Sequence, residues 1–187
     1  MKHKMRRLAC WLLLSVLLLC GCAEGGEPNT TAAEPHAHGS LKERVFRVGE
    51  MEISLDESFA QAPVQGLEAC YTSEHVDVFV LREDFSLAEG LGDQTLLQYG
   101  ADVVAGNEQA QGAAVTEKNG LTYFEYEGEQ GGVRFVLLSY LYKSENAFWV
   151  VQFATPEVKR EHLEGSVEAW AKSVRFTESV SAENPQP

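Results

Sequence analysis

The chain has 187 residues, and its 28 acidic and 15 basic residues give a formal net charge of −13 at pH 7. This acidic balance argues against nucleic acid as a partner, because the two polyanions would repel each other. Electrostatic adhesion to an anionic lipid surface is disfavoured for the same reason.

Residues 1–21 have the organisation of a secretory signal peptide. Four basic residues among the first seven precede a mostly apolar run, residues 8–20. A membrane-spanning helix needs about 18 or more apolar residues, so this run is too short to be one. We expect cleavage to change the formal charge from −13 to −17, because it removes four basic residues and no acidic one.

The residues at the end of this segment indicate a lipid anchor. Residues 19–22, Leu-Cys-Gly-Cys, resemble the lipobox of bacterial lipoproteins, with an aliphatic residue three positions before a cysteine and a small residue directly before it. The resemblance implies cleavage before Cys22 and acylation of Cys22, including a diacylglyceryl thioether on its sulfur. Two acyl chains give stable anchoring, so we expect a cell-membrane lipoprotein facing outside the cytoplasm, on the extracellular or periplasmic side. An ordinary signal peptide with an incidental cysteine is the alternative.

This processing leaves Cys70 as the single thiol of the mature domain, because Cys10 and Cys20 leave with the signal peptide. The domain therefore has no internal disulfide and relies on a hydrophobic core. Cys70 is either a reactive or inter-chain thiol or a small buried residue in an apolar strand, and the second interpretation is favoured.

The mature chain divides by composition into three parts. Residues 22–43 are small, polar and turn-forming, which is typical of a flexible spacer that reaches roughly 25 Å. Residues 44–177 form the expected folded domain, and residues 178–187 a disordered tail.

The domain is expected to be α+β. Gly49-Glu50 favours a type II′ hairpin, Asn119-Gly120 a second hairpin, and Asp93 is the expected cap of the first helix. Trp170 lies in the apolar stripe of the last helix. In chain order the patterns predict a hairpin of 45–48 with 51–55, strands at 67–71 and 76–81, a helix at 93–105, a hairpin of 114–117 with 121–126, strands at 133–142 and 148–154, and a helix at 156–174.

The two longest predicted strands are apolar on both faces, whereas a sheet wetted on one side alternates apolar and polar residues. Both faces of the central sheet are therefore expected to be covered. This predicts a mostly antiparallel sheet between helical layers.

Five segments resemble the PsbP-like superfamily, which includes DcrB-type bacterial lipoproteins. They are ISLDESF, VDVFVLREDFSL, NGLTYFEYEG, AFWVVQFATPE and WAKSVRF, within residues 45–176. The resemblance implies an antiparallel sheet sandwiched between helices, and a role in binding proteins or assisting assembly. It carries over no active-site residues.

Three further groups of residues are weaker candidates for a metal-binding, partner-binding or catalytic site. His36 and His38 can chelate a metal, although ordering a flexible spacer opposes this and a solvated linker is the favoured interpretation. The alternating residues Glu125, Glu127 and Glu129 can bind Ca²⁺ or a basic partner, with a solvated strand edge as the default. His75 and Asp77, two positions apart with serines nearby, are a weak catalytic candidate.

The sequence contains none of the usual hydrolase, nucleotide-binding or zinc-protease motifs. We therefore expect a non-enzymatic binding or accessory module of the cell envelope, with no cofactor and an envelope protein as its partner. A small-ligand or metal-binding carrier is one alternative, and an envelope enzyme using Cys70 or the region of His75 and Asp77 is another. A binder needs an exposed aromatic patch, for which the candidates are Tyr71, Tyr99 and Tyr123.

Overall fold

A computed structural model describes residues 42–177. The predicted signal peptide, the predicted lipidation site Cys22, the pair His36 and His38, and the predicted tail lie outside the described residues. Within them, the helices and strands run in the order β1 Glu43–Val48, β2 Met51–Asp56, β3 Ala60–Gln61, β4 Ala69–Thr72, β5 Asp77–Asp84, α1 Leu96–Gly106, β6 Thr116–Lys118, β7 Leu121–Gln130, β8 Val133–Lys143, β9 Ala147–Pro156, α2 Arg160–Ser173 and β10 Arg175–Phe176.

Ten strands of the described region form two antiparallel sheets. The larger has seven strands in the order β3-β4-β5-β9-β8-β7-β6, and the smaller has three in the order β1-β2-β10. The predicted α+β class with a mostly antiparallel sheet is confirmed.

Both faces of the large sheet are covered, as the two-faced apolar strands predicted. On one face, α2 and the small sheet enclose a core that includes Trp149, Val151 and Phe153 of β9. On the other, α1 packs over a second core that includes Phe148 and Val150 of the same strand. Alternate residues of one strand thus belong to different cores, because successive side chains of a strand point to opposite faces.

The first helix begins two residues later than predicted. Thr95, not Asp93, is its N-cap: Thr95 Oγ1 accepts a hydrogen bond from the Gln98 amide at 3.2 Å, and Gln98 Oε1 accepts one from the Thr95 amide at 2.9 Å. This reciprocal pair is a capping box, which satisfies two amides that would otherwise lack partners. Asp93 instead ends a short 3₁₀ turn, Leu91–Asp93.

The last helix also begins later, at Arg160, because Pro156 ends β9 and a 3₁₀ turn, Glu157–Lys159, intervenes. Trp170 is buried, as predicted, with its ring edge-on to Phe59 at 5.1 Å and stacked on Phe153 at 6.2 Å. Within residues 42–177, no helix has the length and apolar character needed to cross a membrane.

Candidate functional site

The structure does not assemble a catalytic group from His75 and Asp77. The His75 side chain is 39 % exposed, and its Nε2 lies 3.7 Å from Glu74 Oε1. Burial raises the pKa of the Asp77 carboxyl, and no hydrogen bond joins Asp77 to His75 in the described part of the chain. The nearby Ser73 hydroxyl donates to the Val76 carbonyl and accepts from the Val76 amide, which makes it part of a turn.

Cys70 is fully buried in the core beneath α1, opposite Phe79 on the neighbouring strand. The interpretation of Cys70 as a small buried residue is therefore confirmed. A thiol enclosed in this way lacks the access to solvent that reactive cysteines have.

The predicted aromatic patch is wrong for two of its three residues. Tyr71 and Tyr99 are 1 % and 4 % exposed. Tyr99 stacks on Phe148 at 4.1 Å, and Tyr71 lies 4.7 Å from the ring of Phe46. The sequence neighbours of both tyrosines are polar or small and do not predict burial, whereas the small sheet covers Tyr71 and the large sheet covers Tyr99 through long-range contacts.

Tyr123 is half-buried beside Tyr140, with ring centroids 5.4 Å apart, at one side of a larger acidic surface. We call this surface the acidic face. It consists of Glu125, Glu127 and Glu129 on β7 and Glu164 and Glu168 on α2.

The two elements of the acidic face meet across a narrow groove. Glu125, Leu138, Thr155, Arg160, Leu163, Glu164 and Val167 line the groove, and its volume is about 30 Å³. This is room for one or two water molecules and excludes a drug-sized ligand, which needs about 300 Å³ or more. The acidic face is therefore suited to contact with another macromolecule.

Two contacts hold α2 against β7 and against the turn that precedes β7. Arg160 Nη2 lies 2.6 Å from Glu125 Oε1, and Asn119 Nδ2 donates to Glu168 Oε1 at 2.9 Å. Lys172 Nζ also donates to Glu168 Oε1, at 2.6 Å. These two hydrogen bonds hold the pKa of Glu168 below its usual range, so this carboxylate stays ionised at neutral pH.

The negative potential of the acidic face acts on the tyrosine beneath it. Burial raises the pKa of Tyr140 well above its ordinary value, and the nearby Tyr123, Glu168, Glu164 and Glu125 raise it further. Like charges disfavour a phenolate here, so Tyr140 stays neutral. A neutral, buried tyrosine therefore lies beside the carboxylates of the acidic face.

The other two glutamates of β7, Glu127 and Glu129, have no cation close enough to form an ion pair within the described residues. Arg134 stands opposite Glu129 in the register of β7 and β8, but its Nη2 lies 2.9 Å from Glu157. Among residues 42–177, neither Glu127 nor Glu129 forms an ion pair. The β7 glutamates were singled out from the sequence, whereas the α2 residues were not. The spacing of Arg160, Glu164 and Glu168 at i, i+4 and i+8 could have placed them on one helix face.

A second concavity lies at the opposite edge of the sheet. It is a broad depression of about 390 Å³, lined by Gln61, Ala62, Pro63, Val64, Gln65, Leu67, Glu68 and Ala69. A single segment of chain supplies the whole lining, with one charged side chain, so it lacks the converging polar groups of a ligand site. No group of three or more His, Cys, Asp or Glu residues suited to a metal occurs within residues 42–177.

Comparisons with known proteins bear on the fold. No protein-family model matches the sequence, and no curated protein matches it. The structure of cyanobacterial PsbP (CyanoP) from Synechocystis sp. PCC 6803 is similar at a TM-score of 0.50 and 13% identity, over 78% of this chain and 98% of that chain. A protein from Bacteroides thetaiotaomicron VPI-5482 is similar at a TM-score of 0.51 and 9% identity, over 74% of this chain and 49% of that chain.

LpqN of Mycobacterium tuberculosis, involved in cell envelope biogenesis, is similar at a TM-score of 0.43 and 10% identity, over 74% of this chain and 92% of that chain. That score is too low to support an argument about fold or function. The similarity to CyanoP, together with the sheet order and the two helical layers, shows that the described residues have a PsbP-like α+β fold.

Proposed function

We propose that this chain is a non-enzymatic accessory lipoprotein of the cell envelope, anchored through Cys22, which docks an envelope protein on its acidic face. The observation that carries the proposal is the acidic face itself. The face carries five carboxylates from two elements, and two of them, Glu125 and Glu164, line a groove too small for a drug-sized ligand. Three of the five, Glu127, Glu129 and Glu164, have no ion pair to a cation in the described region.

The negative charge of the acidic face indicates which kind of partner surface it would bind. A surface dominated by carboxylates attracts basic surfaces and repels anionic ones, and such complementarity raises association rates more than it raises affinity. The predicted anchor and spacer would hold the domain within about 25 Å of the membrane, which raises its effective concentration near a membrane-bound partner.

Co-purification from native membranes tests the proposal. We would compare the intact lipoprotein with Cys22→Ala, Glu164→Lys and Glu89→Lys. Glu164 belongs to the acidic face but not to β7, and Glu89 is an exposed residue of a loop outside that face. Glu89→Lys makes the same change in net charge, so it controls for a general loss of negative charge.

We expect one partner that depends on both the anchor and the acidic face. Cys22→Ala should release the chain from the membrane fraction and lose the partner, Glu164→Lys should weaken recovery, and Glu89→Lys should retain it. A chain that fractionates with membranes but recovers no specific protein would contradict the accessory role. Equal loss of the partner in Glu164→Lys and Glu89→Lys would contradict a role for the acidic face.

A further inference from the structure

The outer edge of β7 is open over most of its length. β7 has ten residues, Leu121–Gln130, but β6 pairs with only three of them, through Lys118 opposite Leu121, Glu117 opposite Thr122 and Thr116 opposite Tyr123. From Phe124 onward, β7 is paired on one side alone, by β8.

The chain before β6 does not extend the ladder along this edge. Val115 packs against Gly100 of α1 so closely that a Cβ on Gly100 would lie 2.8 Å from Val115 Cγ1. Ala110 belongs to the core beneath α1, Val115 packs against that core, and the ladder between β6 and β7 ends at the pair Thr116 and Tyr123.

The hairpin register determines which backbone groups of β7 face outward. Gly131 and Gly132 both have positive φ, 59° and 80°, which is the geometry of a type I′ turn. The pair flanking such a turn, Gln130 and Val133, exchanges both backbone hydrogen bonds, and every second pair along an antiparallel ladder does the same. The residues of β7 that bond to β8 are therefore the even-numbered ones: Thr122, Phe124, Tyr126, Gly128 and Gln130.

The odd-numbered residues consequently direct their N–H and C=O groups away from β8. Tyr123 uses these groups to bond to β6, whereas Glu125, Glu127 and Glu129 lie beyond its end. Apart from the strand ladders, no backbone–backbone hydrogen bond within residues 42–177 reaches these three glutamates. The open edge thus offers three consecutive donor–acceptor pairs, each on a residue with a carboxylate side chain.

The two faces of this edge differ in chemistry. The side chains of Glu125, Glu127 and Glu129 share the face toward α2, and they become more exposed toward the hairpin tip. On the opposite face, Phe124 and Tyr126 are buried in the core beneath α1. A strand added here would have alternate side chains beside carboxylates and the others beside apolar groups.

We propose that an extended segment with lysine or arginine at every second position, alternating with apolar residues, adds to the large sheet along β7 between Glu125 and Glu129. This inference rests on the proposed function, because it specifies the partner of the acidic face. Main-chain hydrogen bonds supply the binding energy of strand addition, and side chains at alternate positions supply its specificity. Cross-strand pairs of opposite charge add to the stability of the paired strands.

The same carboxylates disfavour other occupants of the edge. A second copy pairing through β7 would place the row of glutamates of one molecule against that of the other, and like charges directly opposite are destabilising. An anionic membrane surface is repelled by the row as well.

The proposal is tested directly by measuring amide hydrogen exchange of the protein in the absence and in the presence of a synthetic peptide. The probe is a peptide of alternating lysine and valine, blocked at both ends, and its control has the same composition with the lysines grouped in one half. In the free protein the amides of Glu125, Glu127 and Glu129 should exchange fast, and those of Phe124, Tyr126 and Gly128 slowly. The alternating peptide should slow the three fast amides by about tenfold or more, and the grouped peptide should not.

Three variants separate backbone pairing from charge. Glu127→Pro removes an outward N–H without removing a bond to β8, and the double variant E127K/E129K reverses two charges. Each should weaken binding of the alternating peptide by about tenfold, while Glu89→Lys leaves it unchanged. Slow exchange at Phe124 and Tyr126 in each variant shows that the sheet is intact.

Protection of the three outward amides by the alternating peptide, lost in Glu127→Pro, supports strand addition. Binding without that protection, or equal binding of the grouped peptide, overturns it and leaves charge attraction alone. An absence of peptide binding overturns it as well. Recovery of a partner from membranes is a separate result, so the proposed function can stand when this inference fails.

Discussion

Gln152 illustrates at the scale of single residues how this core accommodates polar groups. It lies on β9 and is 2 % exposed, and its side-chain amide donates to Tyr126 Oη at 2.9 Å and to Ser139 Oγ at 2.8 Å. Ser139 stands directly opposite Gln152 in the register of β8 and β9. A buried amide of this kind is tolerated because both of its donors have partners.

Removing one of these partners should destabilise the domain. We expect Ser139→Ala to lower the free energy of unfolding by about 1–3 kcal/mol, because one N–H of Gln152 is left buried without an acceptor. Urea denaturation measures the change. Ser166→Ala, on the exposed side of α2, is the matched control and should change stability by less than about 0.5 kcal/mol. A Ser139→Ala value as small as that of the control would show that the network contributes little.

Tyr140 makes stability depend on alkaline pH. Its folded-state pKa is raised, first by burial and then by Tyr123 and the carboxylates of the acidic face, above the ordinary value of 10.0. Above about pH 10 the unfolded chain releases this proton while the folded chain keeps it, so the folded state binds more protons and its stability falls as pH rises. Below that pH the contribution is fully present.

We therefore expect the free energy of unfolding, measured in urea between pH 8 and pH 11 at about one-unit steps, to decline above about pH 10. Tyr140→Phe should flatten that decline. Part of the decline should remain, because burial also raises the pKa values of Tyr126 and Tyr142. An unchanged slope in Tyr140→Phe would mean that Tyr140 ionises equally well in both states.

At the scale of helices and strands, replacing each of two helical glycines with alanine should change the free energy of unfolding in opposite directions. A Cβ on Gly100 of α1 would lie 2.6 Å from Leu141 Cδ1, whereas a Cβ on Gly165 of α2 meets nothing within 4 Å. We expect Gly100→Ala to cost about 1–3 kcal/mol through overpacking. Gly165→Ala should stabilise by about 0.5–1 kcal/mol through helix propensity. Thermal and urea unfolding of the pair give the comparison, and two changes of the same sign would contradict the packing argument.

The elements that the sequence predicts best are those whose local pattern and tertiary environment agree. Apolar residues on both faces of β8 and β9 predicted a covered sheet, because alternation alone assigns each side chain to a face. The start of α1 was misplaced because Asp93 and Thr95 are both good caps, and only Thr95 has Gln98 three residues later to complete the capping box. β7 runs past Tyr126 to Gln130 because β8 pairs with the glutamates there, although isolated glutamates and glycine disfavour strands.

In the candidate site, too, some features follow from the local sequence and others depend on tertiary contacts. The row of glutamates on β7 is visible as alternation, so the sequence could place them on one face. The burial of Tyr71 depends on Phe46 of the small sheet and that of Tyr99 on Phe148 of the large sheet, and these partners are distant in sequence and leave no local signal. The open edge depends on where β6 stops pairing, at Thr116, and no pattern in the sequence marks that position.

At the scale of the whole molecule, the described domain combines a closed core with a long open edge on its large sheet. The edge strand β3 is only two residues long, whereas β7 leaves seven residues, 124–130, without an outer partner. Natural sheets protect such edges with charges, and the glutamates of β7 do so against like partners. Under the proposed function the same charges select a basic partner, and the predicted anchor at Cys22 holds the acidic face near it.

Site-specific photo-crosslinking in native membranes tests this account most directly. A photoreactive residue would replace Glu127 in one version of the intact lipoprotein and Glu89 in another. We predict that the probe at position 127 crosslinks one envelope protein through an extended basic segment, and that the probe at position 89 does not. Equal crosslinking from both positions, or a crosslinked segment without basic residues, would contradict the account.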